Sequence, residues 1–294
     1  MPYSVGSRPA SASRGVLPGA VSVLTSALVD GAPLPAVVLG VHEPALYLEV
    51  ARRVLPVITS DAVPLAPALR LAVPSGRVRW QVSAGDVVTV GGGRVVLPGF
   101  EIAAARTWRP ARVRQISRLE CGSGGSGSHF RTQAAMETGS GWLADGIRAV
   151  LSAIPGRECG SGCQDDHFRT HGEGVGELLG RGQGLTPSGD DALAGILLVT
   201  HAVGRAAPLA VAVRSRLATT TAVSAALLDA AADGYAAPAV VALVDAALAG
   251  DDAAVSRALP AVVAIGHTSG ADLVAGIAGA LAHLTDTTTG RSAA

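Results

Sequence analysis

The hydrophobic pattern changes between the two halves of the chain, and this change most constrains the fold. Before about residue 114, short runs rich in Val and Leu alternate with Pro and Gly. Short β-branched runs separated by turn residues predict strands. These predicted strands include 36–41, 46–50, 78–82, 87–90 and 95–97. The turn signals at 84–86 and 91–93 predict that the last three strands form an antiparallel meander.

From Gly141 onward the chain consists of Ala- and Leu-rich stretches of helical length, with Gly or Pro at their ends. The predicted helices cover 142–154, 188–203, 208–217, 222–232, 238–249, 253–265 and 269–284. We therefore expect an α+β protein, with a β-rich N-terminal domain followed by an all-helical C-terminal domain. The expected segments are a flexible N-terminus at 1–15, a β-rich domain at 16–115, a Gly- and Ser-rich connection at 116–140 and a helical domain at 141–294.

The charge balance and the missing residue types exclude several functions. The chain has 23 Lys and Arg residues against 23 Asp and Glu residues, so no broad positive field attracts nucleic acid. Every basic residue is Arg, and the absence of Lys excludes a Schiff base and a Walker-type phosphate loop. Three Cys do not form a secreted disulfide framework, and no apolar run reaches the length of about 20 residues that spans a membrane. We expect a cytoplasmic protein without nucleic-acid or membrane partners.

A duplicated segment contains all the cysteines. The residues ECGSG at 120–124 and HFRT at 129–132 recur 38 residues later. The second copy places a zinc-type set of side chains at equal spacings of four: Cys159, Cys163, His167 and His171. In one continuous helix these side chains would span about 18 Å, which is too far for one metal ion. A solvated loop without metal is the favoured interpretation, and structural zinc is the alternative.

A glycine-rich stretch leads into the predicted helix at 188–203. Alternate glycines precede the motif LTPSGDD at 185–191: Gly172, Gly174, Gly176, Gly180, Gly182 and Gly184. Glycines allow close approach of the backbone to a ligand, and a helix N-terminus offers free N–H groups and a partial positive charge. This combination favours a bound phosphate or carboxylate.

The start of this helix has a near copy later in the chain. The pattern S-G-x-D-x-[LV]-A-G-I occurs at 188–196 and at 269–277, 81 residues apart. We expect the two helix starts to face each other across a pseudo-twofold axis and to hold one small anion between them. The small Gly195 and Gly276 would let the two helices cross at close range.

The candidate ligand-binding residues come from both helix starts and from the helix at 222–232. Arg181 is the first candidate for neutralising the anion, because one helix terminus contributes at most about 2 kcal/mol. The other predicted substrate-binding residues offer N–H groups, hydroxyls or a carboxylate: Gly182, Gly184, Thr186, Ser188, Gly189, Thr221, Ser224, Thr268, Ser269, Gly270 and Asp272. Helix capping is the alternative, since both S-G-x-D starts fit capping boxes and a Thr at 219–221 fits an N-cap.

Three motifs together resemble those of the AllH-like family, whose members are a subunit of oxamate carbamoyltransferase from anaerobic allantoin breakdown. They are G-x-G-L-T-P-S-G-D-D at 182–191, a loosened T-x-x-S-x-x-L-x-x-A-x-x-G at 221–234, and G-H-T-S-G-A-D at 266–272. The resemblance covers roughly residues 172–284. It implies interconversion of oxalurate plus phosphate with oxamate plus carbamoyl phosphate, beside two larger partner subunits. Arg181 and Gln183 stand at variable positions of the family's glycine-rich loop.

The paired helix starts motivate a mechanistic hypothesis. The two N-termini and Arg181 would bind the carboxylate or phosphate of a small anionic substrate. Thr186 and Ser269 would donate hydrogen bonds to a transferred carbamoyl group. His267 would move a proton, as a catalytic acid or base.

The adjacent carboxylates Asp190 and Asp191 are further catalytic candidates. No cofactor is required, although this pair could hold Mg²⁺ beside a phosphate. On this hypothesis, Asp190→Ala abolishes the response to ligand and leaves the melting temperature nearly unchanged. The competing classes are a non-catalytic subunit that binds a small anion or docks a partner, and a zinc-stabilised interaction protein.

Overall fold

The structure is a computed structural model that describes residues 15–116, 141–154 and 173–289. A closed barrel forms its first part, and helices form its second, which confirms the α+β class. The strands of the barrel are β1 (Gly15–Ser22), β2 (Leu34–His42), β3 (Ala45–Val50), β4 (Arg53–Ile58), β5 (Leu69–Leu71), β6 (Val87–Gly91), β7 (Arg94–Val96) and β8 (Phe100–Trp108). A short helix, α1 (Ser26–Asp30), follows β1.

The barrel closes through a non-consecutive pairing. Its strand order is β1-β5-β4-β3-β2-β6-β7-β8, and β1 and β8 pair in parallel. Side chains along a strand alternate between the two faces, and Leu46, Leu48 and Val50 of β3 are fully buried. A barrel of this size is filled by its own side chains. The barrel interior is therefore a packed core, and a ligand site must lie outside it.

The predicted strand at 78–82 is wrong. These residues follow a 3₁₀ turn at Ser75–Arg77 and join no sheet. Gln81 has φ +52°, which a strand does not accommodate, and the buried Trp80 donates its indole N–H to the carbonyl of His42 at 2.9 Å. The antiparallel meander is instead formed by β6, β7 and β8.

The helical part reproduces the predicted helices with small shifts at their ends. Its helices are α2 (Gly141–Ser152), α3 (Ser188–Ala202), α4 (Ala207–Arg214), α5 (Ala222–Ala232), α6 (Pro238–Ala249), α7 (Asp252–Val263) and α8 (Ser269–Thr289). A further helical segment covers 173–178. The helical part is not entirely helical, because the two-residue strand β10 (Tyr235–Ala236) pairs with β9 (Ala111–Arg112). Among the described residues, no helix combines the length and the apolar character needed to span a bilayer.

The helix α3 is the centre of the helical part, and α8 crosses it closely. A Cβ built on Gly195 would lie 2.4 Å from the carbonyl oxygen of Leu273, and one on Gly276 would lie 1.9 Å from that of Ala192. Residues 192 and 273 are themselves equivalent positions of the 81-residue repeat. The reciprocal contacts confirm the close crossing predicted at the two glycines.

The chain leaves the barrel by entering the helical core. Val113 is 3% exposed and belongs to the hydrophobic cluster of the helices. Its N–H donates to the carbonyl of Gly234 at 2.9 Å. The guanidinium of Arg112 donates to the Asp233 carbonyl at 2.7 Å. These contacts attach the segment that follows the last barrel strand to the helices.

Candidate functional site

The two S-G-x-D helix starts meet in space. The hydroxyls of Thr186 and Ser269 lie 2.9 Å apart and share a hydrogen bond. Behind them, the N–H of Gly189 donates to the Arg181 carbonyl and the N–H of Gly270 donates to the Ile265 carbonyl, each at 2.9 Å. Positions 189 and 270 are equivalent in the repeat, but their acceptors lie eight and five residues earlier in the chain, so the loops before the two helices differ. The two helix starts lie next to each other, as the repeat predicted.

The capping-box expectation is wrong at α3. Its N-cap residue is Pro187, which has no side-chain cap, and Ser188 is already the first residue of the helix. The N-cap prediction for α5 is confirmed, since the Thr221 hydroxyl accepts the N–H of Ser224 at 3.1 Å. The same hydroxyl donates to the carbonyl of Leu185 at 2.5 Å. Thr221 and Ser224 thus hold the glycine-rich loop and do not face the cavity described below.

The two adjacent aspartates at the start of α3 have different environments. Asp190 is 2% exposed, and both of its oxygens accept hydrogen bonds. One accepts the N–H of Gly180 at 2.7 Å and the other accepts the hydroxyl of Thr220. Asp190 therefore links the glycine-rich loop to the segment before α5, and both of its oxygens are engaged within the protein.

Asp191 is the buried carboxyl without a full set of partners. It is 8% exposed, and its Oδ2 has no hydrogen-bond partner among the described residues, as is also the case for Oδ2 of Asp272. Burial raises the pKa of Asp191 to about 8, and the nearby Asp272 and Asp190 carboxylates add to the rise, although the hydroxyls of Ser269 and Thr186 oppose it. At neutral pH the Asp191 carboxyl therefore keeps its proton and can donate a hydrogen bond.

A cavity of about 1040 Å³ opens in front of this pair of helix starts. It lies between the helices and one end of the barrel. The barrel contributes side chains from β2, β3 and the segment after β4, among them His42, Tyr47 and Leu65. These residues were missed in the sequence, because no local pattern in a strand or loop indicates that it faces a helix start more than 100 residues away.

The cavity unites part of the predicted site. The predicted residues that line it are Gly182, Gly184, Thr186, Ser188, Asp191, His267, Thr268 and Ser269. His267 and Thr268 are exposed at its edge. Gly189 and Gly270 serve packing, since a Cβ on either would lie 2.0 Å from a carbonyl oxygen, of Leu178 and Val262 respectively.

Arg181 does not line the cavity. Its guanidinium lies 4.7 Å from the ring centroid of Trp142 in a cation–π contact and pairs with Glu177 at 3.7 Å. Among the described residues that line the cavity there is no Arg. The expected convergence of both loops with an Arg is therefore not present in the described part of this chain.

The glycine-rich stretch is not one continuous loop. Gly174 and Gly176 lie in the helical segment 173–178, where a Cβ on Gly174 would lie 2.8 Å from the carbonyl of Ala149. Gly182 and Gly184 do form a loop, with φ +130° and +85°. A Cβ on Gly182 would lie 2.6 Å from the nitrogen of Ser188, so glycine there allows the loop to fold over the helix start.

The zinc hypothesis concerns residues outside the described part of the chain. Cys159, Cys163, His167 and His171 lie there, and the hypothesis stays a prediction. Within residues 15–116, 141–154 and 173–289 no group of three or more His, Cys, Asp or Glu side chains has a metal-binding arrangement.

Comparison with known proteins bears on the helical part. No curated protein and no solved structure matches the chain. A family model does match, over a region that begins just before the glycine-rich loop and ends within α8. The match confirms the resemblance inferred from the three motifs: residues 178–281 fit the model of the oxamate carbamoyltransferase subunit AllH.

Proposed function

We propose that this chain is an oxamate carbamoyltransferase-type subunit that binds the oxamate or oxalurate part of the substrate at the paired helix starts. The observation that carries the proposal is the meeting of Thr186 with Ser269 beside the Asp191 carboxyl at one end of a cavity. The match of residues 178–281 to the AllH model supports the reaction type.

The polar end of the cavity suits a small planar carboxylate. Of the two hydroxyls of Thr186 and Ser269, one donates to the other, and the remaining O–H can donate either to the Asp191 carboxyl or to a ligand. The protonated Asp191 offers a second O–H. Both helices direct the positive ends of their dipoles to this point, and each contributes up to about 1 kcal/mol toward a negative charge. These groups hold one negative charge better than the two charges of a phosphate.

The proposed reaction assigns the proton transfer to Asp191. In the direction of oxalurate cleavage, a phosphate oxygen forms a bond to the carbamoyl carbon, and the bond from this carbon to the oxamate nitrogen breaks. The nitrogen then needs a proton. Asp191 supplies it, because its pKa of about 8 keeps the carboxyl protonated at neutral pH. His267, at the edge of the cavity, is the alternative donor.

Partner subunits have a defined role in this proposal. No Arg lines the cavity within the described residues, and the chain has no Lys. Phosphate therefore requires cationic groups from elsewhere, and we propose that a larger partner subunit supplies them. Mg²⁺ is an alternative source of charge, for which the Asp191 carboxyl, once deprotonated, is the available ligand at the cavity.

A ligand series on the purified chain tests the site. Oxamate, oxalurate, carbamoyl phosphate and phosphate are added with and without Mg²⁺, and thermal unfolding is followed. Oxamate and oxalurate at 100 times their Kd stabilise the protein by about 2.7 kcal/mol, or several degrees. Ser269→Ala reduces this shift, whereas Ser256→Ala, on the exposed face of α7, leaves it unchanged. No shift with any of the four ligands contradicts the proposal.

A non-catalytic subunit that only binds the small anion or docks a partner is the second candidate, favoured by the lack of an Arg among the described residues that line the cavity. Turnover by the assembled complex separates the two functions. If this chain is catalytic, Asp191→Asn lowers kcat by about 100-fold or more, with His267→Gln as the comparison for the alternative donor. Full turnover with both variants supports the non-catalytic function.

A further inference from the structure

The cavity is larger and more apolar than a two-carbon acid needs. Its volume of about 1040 Å³ is at the upper end of the range of about 300–1,000 Å³ for pockets that bind drug-sized ligands. Most of its polar side chains lie at the paired helix starts, and His42 is a polar residue on the barrel side. The opposite walls are formed by aliphatic and tyrosine side chains of the helices and the barrel.

The apolar part continues directly from the polar end along α3. Ser188, Asp191, Ala194 and Leu198 all line the cavity, and their spacing of three or four residues places them on one face of the helix. At a rise of 1.5 Å per residue this face is about 15 Å long from Ser188 to Leu198. The first two positions are polar and the last two are apolar.

The opposite wall has the same extent. Val223, Leu227 and Ala231 of α5 line the cavity and span about 12 Å of helix. Leu227 is half-buried, and the half-buried Leu65 and Tyr47 come from the barrel. When a ligand covers half-buried apolar side chains around a cavity, their removal from water stabilises the complex.

The polar end of the cavity complements its apolar walls. Asp191 is 8% exposed, lines the cavity and has an oxygen without a partner among the described residues. The Asp191 side chain is thus a polar group at the wall of the cavity, and a ligand head with hydrogen-bonding groups can pair with it. The ligand therefore needs both a polar head and an apolar body.

We infer that the cavity takes a substituted oxamate or ureido acid, with its acid and amide groups at the paired helix starts and an apolar substituent between α3, α5 and the barrel. The inference rests on the proposed function for the identity of the head group. The apolar substituent goes beyond it, since neither oxamate nor oxalurate contains one.

Calorimetric titration of the full-length chain with oxamate, N-butyloxamate and N-hexyloxamate tests the inference. Each buried methylene contributes about 0.8 kcal/mol, so N-hexyloxamate, with two more methylenes, binds about 15-fold more tightly than N-butyloxamate. Hexanoate, which has an alkyl chain and a carboxylate but no oxamic amide, binds more weakly than N-hexyloxamate by more than the roughly fourfold that one missing methylene accounts for.

Two Gln substitutions test where the alkyl chain binds. Leu227→Gln, on the cavity face of α5, removes the gain from the alkyl chain and leaves the affinity for unsubstituted oxamate unchanged. Val211→Gln, at a site on α4 that is 54% exposed, leaves both affinities unchanged. Circular dichroism confirms that both variants are folded.

The possible results separate the inference from the proposed function. Binding of oxamate without any gain from the alkyl chain overturns the inference and leaves the proposed function standing. If only the substituted compounds bind, the result supports a site for an apolar substituent and overturns unsubstituted oxamate as the ligand. Equal binding of hexanoate and N-hexyloxamate overturns the oxamic head. If no compound binds, the inference is wrong, and the apolar walls are covered by something other than a small ligand, such as a partner subunit.

Discussion

At the scale of single residues, the two aspartates at the start of α3 show how environment separates identical side chains. Asp190 is fully hydrogen-bonded within the protein. Asp191, the next residue, has a raised pKa and an unpartnered oxygen. Adjacent helical positions point in directions about 100° apart, so one carboxylate faces the loop and the other faces the cavity. Their substitution therefore has different consequences.

Replacement of Asp191 changes the pH dependence of stability. The native state holds a proton that the unfolded chain loses near its ordinary pKa of 3.8, whereas the native carboxyl has a pKa of about 8. The stabilising contribution is thus complete below pH 3.8 and is lost as the pH rises to about 8. Asn at this position cannot ionise. As the pH rises over this range, the wild type therefore loses stability relative to Asp191→Asn, by on the order of 1 kcal/mol of unfolding free energy per pH unit.

Urea denaturation at pH 5, 6.5 and 8 measures this difference. Asp30→Asn, at an exposed site at the end of α1, is the control. A difference between Asp191→Asn and wild type that stays constant from pH 5 to pH 8 would show that Asp191 ionises normally in the folded protein.

Replacement of Asp190 acts on stability. Asp190→Ala leaves the N–H of Gly180 and the hydroxyl of Thr220 without their acceptor and lowers the free energy of unfolding by about 3 kcal/mol. This outcome differs from the unchanged melting temperature expected from the sequence. A double-mutant cycle with Thr220→Val measures the coupling. If Asp190→Ala loses the response to ligand and keeps its melting temperature, Asp190 is a ligand-binding residue, as the sequence predicted.

At the scale of elements, the crossing of α3 and α8 sets the geometry of the site. The two helices approach closely because Gly195 and Gly276 have no side chain at the contact. This contact brings the start of each helix next to the other, which places Thr186 at 2.9 Å from Ser269. The glycines thus determine the position of hydroxyls two turns away.

A Gly→Ala substitution tests this crossing. In Gly276→Ala the new Cβ would lie 1.9 Å from the carbonyl of Ala192, so the helices must separate, at a cost of about 1–3 kcal/mol. Gly176→Ala is the matched control, because no atom lies within 4 Å of a Cβ there, and alanine in a helix is favoured by up to about 1 kcal/mol. Thermal unfolding is the measurement. Equal melting temperatures for the two variants would contradict the close crossing.

At the scale of the whole molecule, the candidate site depends on the contact between barrel and helices. His42, Tyr47 and Leu65 line the cavity from the barrel side. The attachment at Val113 keeps this face in place, because the residue is buried in the helical core directly after β9. A polar group at this position would disturb the cavity from outside it.

Introducing a charge at Val113 tests this dependence. Val113→Asp buries a carboxylate without a partner and lowers the free energy of unfolding by about 3 kcal/mol or more. Val87→Asp, at a site on the barrel surface that is 65% exposed, changes it by less than about 0.5 kcal/mol. Denaturation followed by tryptophan fluorescence compares them. Similar stabilities of the two variants would show that the attachment at Val113 is unimportant.

Local patterns in the sequence were sufficient to predict the class of the fold, most of the helices and the two helix starts. Helix periodicity, Gly and Pro at helix ends, and the 81-residue repeat are local signals, and they predicted the bounds of α5 and α6 without error. The sequence also predicted the crossing at Gly195 and Gly276, because a repeated small residue on two helices indicates close approach.

Which side chains face the cavity depends on contacts between segments that are distant in the chain. The chain order cannot show that Asp190 is bonded to Thr220 or that Arg181 lies over Trp142, since these partners come from other elements. The same holds for the barrel residues that complete the cavity. Burial, which leaves Asp191 protonated, is a property of the packed molecule and depends on how many distant segments surround one carboxyl.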